Sequence, residues 1–409
     1  IKNAWEQRKF DEVFDCTVPN NTLSRAELSY DEGTVLNVHY GDVLIKYGSV
    51  LDVQKDDIPR IPHRCREDFN GALLQDGDII IADTAEDETT GKACEISNLQ
   101  GSVIVSGLHT MVCRPRNRMA LGYLGYYLNS NAYHHQLLPL MQGIKVLSLS
   151  RSNIQKTSVS YPTAVKEQQH IAYYFSQLDN LITLHQRKFE KLTNVKKSML
   201  EKMFPQNGSS YPKIRFKGFT DPWEQRKLGE IADILGGGTP STGNPSYWNG
   251  EIDWYAPAEI ADQIYANSSQ KKITDLGYEN SSAKMLPPGT VLFTSRAGIG
   301  KTAILTRKGC TNQGFQSIVP HRGELDTYFI FSRTEELKRY GELVGAGSTF
   351  VEVSGKQMAV MELMMPPTMR EQQTIGGFFQ RLDNLITLHQ RELEKLQNIK
   401  KSMLEKMFV

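Results

Sequence analysis

The chain has 409 residues, 39% of them hydrophobic, with 47 basic against 46 acidic side chains and a formal charge of +1. This supports two or three packed domains and excludes long disorder or a general polycation. No apolar run approaches the roughly 18 residues of a membrane-spanning helix, no N-terminal stretch reads as a signal peptide, and the five cysteines (Cys16, Cys65, Cys94, Cys113, Cys310) form no C-x-x-C pair, which argues against zinc and for core thiols in a reduced cytosol.

Residues 1–9 read as a lead, because Trp5-Glu6-Gln7-Arg8-Lys9 recurs as Trp223-Glu224-Gln225-Arg226-Lys227. The chain begins at Ile1 and the second lead (216–227) is longer, so the first is expected to be incomplete. Residues 10–161 form a first block. Its strand candidates are residues 42–46, 78–82 and 102–105, and residues 121–133 read as an amphipathic helix. The block is acidic: 19 Asp and Glu against 13 Lys and Arg over residues 10–165. Its cations Arg60, Arg64, Arg66, Arg114, Arg116 and Arg118, with His109, read most simply as charge balance. Near its end stands Gly143-Ile144-Lys145-Val146-Leu147-Ser148.

A long helix is expected over 166–204, set off by Pro162 and stopped by Pro205. A linker and second lead occupy 205–227. The second block spans 228–366, with strand candidates at 290–294 and 316–319 and a helix at 328–343. A second long helix is expected over 370–409. Gly347-Ser348-Thr349-Phe350-Val351-Glu352 lies 204 residues after the Gly143–Ser148 segment, so the two blocks are expected to share a fold late in their sequence.

The helices repeat each other. Asp179 to Phe204 and Asp383 to Phe408 are identical at 22 of 26 positions, again at an offset of 204. Both carry a heptad pattern for about five heptads, unbroken by glycine or proline in the first copy, which predicts a coiled coil. The seam is Phe175, Leu178, Ile182, His185, Phe189 and Leu192 in one copy, and Phe379, Leu382, Ile386, His389, Leu393 and Leu396 in the other. His185, His389, Lys196 and Lys400 fall on this seam and are read as register-setting polar residues. Each helix has the other at very high effective concentration, so the two are expected to pair. Both parallel and antiparallel pairings remain open at this level.

The second block holds glycine-, amide- and hydroxyl-rich loops with interspersed cations: Gly236-Gly237-Gly238-Thr239-Pro240-Ser241, Thr294-Ser295-Arg296-Ala297-Gly298-Ile299-Gly300-Lys301 and Thr311-Asn312-Gln313-Gly314-Phe315. Such groups suit base edges and phosphates, and they also make ordinary turns. Trp248 and Trp254 read as core. Gly300-Lys301-Thr302 is not a phosphate-binding loop, since Ser295 occupies the required first glycine. Asn244-Pro245-Ser246-Tyr247 lacks the second proline of an adenine methyltransferase motif. No nucleophile, carboxylate cluster or metal set stands out, so the chain is expected to bind without catalysing.

These residues together resemble the specificity subunit of type I restriction–modification enzymes. The carriers are the Trp223–Ile231 lead, the Gly237–Trp254 opening, Arg296 with Gly300-Lys301, Asn312-Gln313-Gly314, and the two Glu-Gln-Gln…Leu-Asp-Asn-Leu-Ile helices (Glu167 to Ile182, Glu371 to Ile386). The resemblance implies an α+β chain: two mixed α/β target recognition domains separated by two long helices that pair as an antiparallel coiled coil, a pseudo-two-fold internal repeat. It implies that each domain reads one half of a bipartite site on double-stranded DNA, and that the helices set the spacer and dock two methyltransferase subunits. Those subunits would bind S-adenosylmethionine and flip out the target adenine. Restriction subunits would supply ATP- and magnesium-dependent cleavage, in the cytoplasm of a bacterium or archaeon. Within that frame the residues expected at DNA are His109, Arg114, Arg116, Lys145 and Ser148 in the first domain, and Arg296, Lys301, Asn312, Gln313 and Lys356 in the second. A protein-binding coiled-coil adaptor and a specificity subunit of another restriction–modification type remain as alternatives.

Overall fold

A computed structural model describes residues 5–206, 208–261, 263–296, 298–346 and 352–408. The chain forms two compact units, Ile1–Gln186 with Arg391–Val409, and Arg187–Gln390. Each unit holds one block together with a stretch of both long helices. The segment Gly347 to Val351 lies outside the described residues, as do the first four residues of the lead and Ala297.

In the first unit a five-stranded sheet runs in the order Phe14–Asp15, Thr110–Pro115, Ile79–Ala82, Ala93–Ser97, Val50–Asp52. All neighbours are antiparallel except the last pair. A three-stranded sheet sets Val35–Val38 between Arg60–Ile61, antiparallel, and Val103–Ser106, parallel. The lead strand Trp5–Lys9 pairs antiparallel with Ser158–Pro162 at the entry to the long helix. The all-apolar run Ile79-Ile80-Ile81 suits its central strand, buried on both faces.

The second unit repeats this plan strand for strand. Its five-stranded order is Ala232–Gly236, Gln316–Pro320, Val291–Phe293, Thr302–Leu305, Tyr265–Ala266, again antiparallel except for the last pair. Trp248–Tyr255 lies between Lys271–Ile273, antiparallel, and Gly309–Thr311, parallel. Glu224–Lys227 pairs with Glu362–Met365. The blocks therefore share the strand order and strand directions of all three of these sheets.

Three local expectations are corrected. Residues 42–46 are not a strand. Tyr40–Ile45 is helical because His39 Nδ1 accepts the Gly41 N–H at 3.1 Å and caps the turn, which overrides the strand preference of Val43 and Ile45. The single helix expected over 121–133 is two, Tyr123–Leu128 and Asn131–His134. Asn129 breaks it: its amide accepts from Ala93 N at 3.0 Å and donates to Ala93 O at 2.7 Å, tying the turn to the sheet. Likewise Thr327–Phe331 and Thr334–Gly345 are separate, since Arg333 turns inward to donate to Met364 O at 2.6 Å.

The long helices span Val165–Lys202 and Met369–Lys406, 38 residues each, about 57 Å at 1.5 Å per residue. Within each unit they run antiparallel. Phe175 stacks on Phe408 at 5.7 Å in the first unit, and Phe204 on Phe379 at 5.9 Å in the second. The twelve seam residues are all buried or half-buried. The seam lysines meet the duplicated aspartates. Lys400 Nζ is 2.5 Å from Asp179, which also accepts from Tyr126 OH at 2.8 Å. Lys196 Nζ is 2.6 Å from Asp383, which accepts from Tyr328 OH at 2.8 Å. Each Lys–Asp–Tyr set joins both helices to the block of its unit and is satisfied only in this register. The first residues of each helix are similarly engaged. Gln168 and Gln372 hold backbone groups of their blocks through both amide atoms.

The C-terminal helix carries Gly376-Gly377 where the first copy has Ala172-Tyr173. A Cβ at Gly376 would stand 2.5 Å from Asp326 Oδ1 and 2.9 Å from Phe329 N. In an exposed helix Gly→Ala gains up to about 1 kcal/mol, but overpacking against backbone costs about 1–3 kcal/mol. Gly376→Ala is therefore expected to lower stability by about 1–2 kcal/mol, and a rise in the urea midpoint would contradict this close approach.

Candidate nucleic-acid interface

In the second block three segments converge. Ser295 N–H donates to Gly314 O at 2.8 Å and Val353 N–H to Ser295 O at 3.0 Å. The glycine-rich loop closes over them: a Cβ on Gly237 would stand 2.1 Å from Asn312 O, so only glycine permits this approach. Asn312 Oδ1 accepts from Gly314 N at 2.8 Å and shapes the turn. The Gln313 side-chain oxygen accepts the Thr239 hydroxyl, which orients the amide on the surface. Gly314 leaves room for Arg296, whose Nε would be 3.5 Å from a Cβ there. The Arg296 side chain is 39% exposed and only loosely paired, 4.0 Å from Glu352. Lys356 lies exposed in the short helix Gly355–Ala359. Gly355 and Gly236 both approach Gln316 Oε1, which sets the start of that helix beside the glycine-rich loop.

Arg296, Asn312 and Gln313 thus gather on one loop surface, with the helix that carries Lys356 beside it. Lys301 stands apart from them. Its side chain lines a cleft of about 570 Å³ with Lys338, Thr334 and Glu335. Trp254 is core: its Nε1 donates to Gly238 O at 2.8 Å, and Trp248 packs edge-on at 5.1 Å. Both tryptophans support the glycine loop from beneath.

In the first block, His109 has a left-handed backbone, φ 54°. Its Nδ1 lies 3.4 Å from Asp83 Oδ1, and its ring sits edge-on to Tyr40 at 5.3 Å. Thr84 beside it belongs to a small ribbon in which Thr84–Ala85 pairs with Leu147–Ser148. Gln142 and Ser148 exchange two backbone bonds of 3.0 and 2.8 Å. They close a hairpin whose tip presents Lys145 and a fully exposed Ile144. The structure brings His109, Lys145 and Ser148 together.

Two other expected residues are elsewhere. Arg114 does not face outward: it forks onto Asp78 at 2.8 and 2.7 Å and donates to Leu73 O. A fully buried carboxylate needs that partner, and no pattern local to residue 114 reveals a carboxylate 36 residues away. Arg116 donates to Asp11 O at 3.1 Å. It follows the strand Thr110–Pro115, so it lies about 23 Å from His109 at 3.3 Å per residue. The sequence reading passed over Thr84, Tyr40, Thr239 and Ile144. Of these, Thr239 and Ile144 stood in segments already quoted, while Thr84 and Tyr40 are brought into place by long-range contacts, a strand pairing and a ring contact.

The sequence pattern of the family described as type I restriction modification DNA specificity domain matches twice, over residues 2–194 and 220–398. The chain belongs to the type I restriction–modification specificity subunit family. Each match begins near a lead tryptophan and ends in a long helix, so the family's domain is the repeated unit seen in the fold. Among similar proteins, the type I restriction enzyme MjaIX specificity subunit of Methanocaldococcus jannaschii is 33% identical over 190 residues, 46% of this chain and 44% of that one. The EcoR124I/EcoR124II specificity subunit of Escherichia coli is 28% identical over 170 residues, 40% of this chain and 41% of that one. Each of these two alignments spans less than half of the relative. A crystal structure of the S subunit of a type I system from M. genitalium superposes with a TM-score of 0.64, covering 100% of this chain and 97% of that one at 13% identity. Specificity subunits thus share the fold at low identity. Among the described residues no helix is long and apolar enough to cross a membrane.

Proposed function

We propose that this chain selects the DNA sequence for a type I restriction–modification complex, each block reading one half of a bipartite site. The observation that carries this reading is the pair of blocks with one strand order and one set of strand directions but different loops. A duplicated frame with unlike loop chemistry suits two readers of unlike sequences. In the second block Arg296 would suit guanine, Gln313 and Asn312 base edges and Lys356 a phosphate, while Lys301, in its separate cleft, would not take part in the same surface. In the first, His109, Lys145 and Ser148 take this role.

The long helices would set the spacer and dock two methyltransferase subunits. Those subunits would carry S-adenosylmethionine and methylate adenine, while restriction subunits would bring ATP and magnesium. This chain would contribute binding and geometry and no catalytic group. With 15 acidic against 12 basic side chains over residues 228–369, neither block attracts DNA in bulk, so the partners would supply most of the phosphate clamp.

The test is a methylome. The chain is co-expressed with its methyltransferase subunit in a methylation-free host, and modified adenines are mapped against the methyltransferase alone. A split motif that depends on this chain supports the reading. An assembled complex that leaves no new methylation overturns it in favour of a protein-binding adaptor. In the same assay Arg296→Ala is expected to reduce methylation about 5- to 150-fold, the 1–3 kcal/mol of one base contact, and to relax one half-site only. Unchanged methylation would remove Arg296 from the interface.

A further inference from the structure

The five cysteines are all free thiols, and two of them face each other. Arg114 pairs with Asp15 and Pro115 with Phe14 across antiparallel strands. One further step of that register sets Cys113 opposite Cys16, 97 residues apart in sequence. Their sulfurs are 3.3 Å apart, and the side chains are 7% and 1% exposed. The strand that leads into Cys16 is the edge of its sheet, which leaves that sulfur the more accessible of the two. Contact with Cys113 holds the Cys16 thiol below its ordinary pKa against its burial, whereas Cys113 is pushed well above. One sulfur is thus suited to react first and the other to resolve.

We infer that Cys16 and Cys113 are a redox-responsive dithiol that hydrogen peroxide converts to an intrachain disulfide. The Cys16 thiolate attacks the peroxide oxygen, the O–O bond breaks, and hydroxide leaves a sulfenic acid. The Cys113 sulfur then attacks Cys16, the S–O bond breaks, and water departs with the Cys113 proton. Two thiols lose two electrons, and the peroxide is reduced to two waters. The sulfurs must close from 3.3 Å to about 2.05 Å, which small side-chain rotations supply between directly opposed strand positions. The bond would fix the edge strand that enters the first block from the lead. It would also close a long loop in the unfolded chain, where disulfides stabilise most.

The experiment uses the full chain carrying Cys65→Ser, which removes the exposed thiol and its intermolecular coupling. It is treated with hydrogen peroxide and mapped by non-reducing peptide mass spectrometry. The expected product is a Cys16–Cys113 linked peptide, two hydrogens lighter, reversed by dithiothreitol, with Cys94 and Cys310 still free. The melting temperature of the oxidised protein should rise by several degrees. Adding Cys113→Ser should leave a Cys16 sulfenic acid trapped by dimedone. If Cys16 and Cys113 remain thiols, or Cys16 passes to sulfinic acid with Cys113 intact, the proposal is overturned. None of these readouts depends on DNA or on the methylome.

Discussion

Glu371→Ala is expected to destabilise the unit Arg187–Gln390 by about 3–5 kcal/mol, the cost of removing one partner from a buried ion pair. Glu371 is 1% exposed and Arg215 13%. The carboxylate accepts a two-pronged pair from Arg215 at 2.7 and 2.8 Å and the Trp223 indole N–H at 3.3 Å. One side chain therefore holds the linker, the lead tryptophan and the first turn of the C-terminal helix. Its loss leaves a guanidinium with little water and an indole without an acceptor. Glu167 is the counterpart in the other unit. It is half-buried and accepts from Trp5 Nε1 at 3.2 Å, so Glu167→Ala should cost only about 1 kcal/mol, a single ordinary hydrogen bond. Urea unfolding of the two variants decides the point. Equal losses would mean that the Arg215 pair adds nothing. A double variant, Arg215→Met with Glu371→Leu, should recover most of the stability, because apolar replacement of both partners avoids an uncompensated charge.

Inserting one heptad into both long helices, at residues 186–187 and 390–391, is expected to lengthen the unread spacer of the DNA site by about three base pairs. Seven residues add about 10.5 Å at 1.5 Å each, and base pairs repeat every 3.4 Å or so. A whole heptad keeps the seam in phase, and lengthening both helices keeps Lys196 with Asp383 and Lys400 with Asp179. Neither block is altered, so the half-sites should stay the same. The methylome of the variant complex reads both quantities at once. Changed half-sites with an unchanged spacer would reject the helices as a ruler. An insertion of three residues is the contrasting case. It rotates the seam by most of a turn, exposes residues such as Phe189 and Leu192, and should prevent assembly.

Much of the frame was legible because it is written in local periodicity. The heptads of Phe175 to Leu192 and Phe379 to Leu396 specify apolar stripes whatever they pack against. The prolines bound the first helix, and the near-identity of two segments 204 residues apart reveals a duplication without any structure. The candidate surface was only half legible. Arg296, Asn312 and Gln313 were recognisable as loop residues with suitable groups, and the loops that carry them meet. Arg114 had the same chemistry in sequence but is bound to Asp78. Residues 42–46 had strand composition but follow a histidine cap, and Asn129 and Arg333 broke helices by bonds to distant strands.

The sequence by itself determined that there are two copies of one module, that each ends in a long amphipathic helix, and that the two blocks between them differ. Those properties follow from residue type and spacing along a few turns or strands. Only the tertiary structure decided the direction of the helix pair, the common topology of the blocks, and which cations face solvent. Each of these depends on partners far apart in the chain: Lys196 with Asp383, Arg114 with Asp78, Cys16 with Cys113. A local pattern states that a polar or apolar group needs a partner, while burial and strand register choose which one it receives.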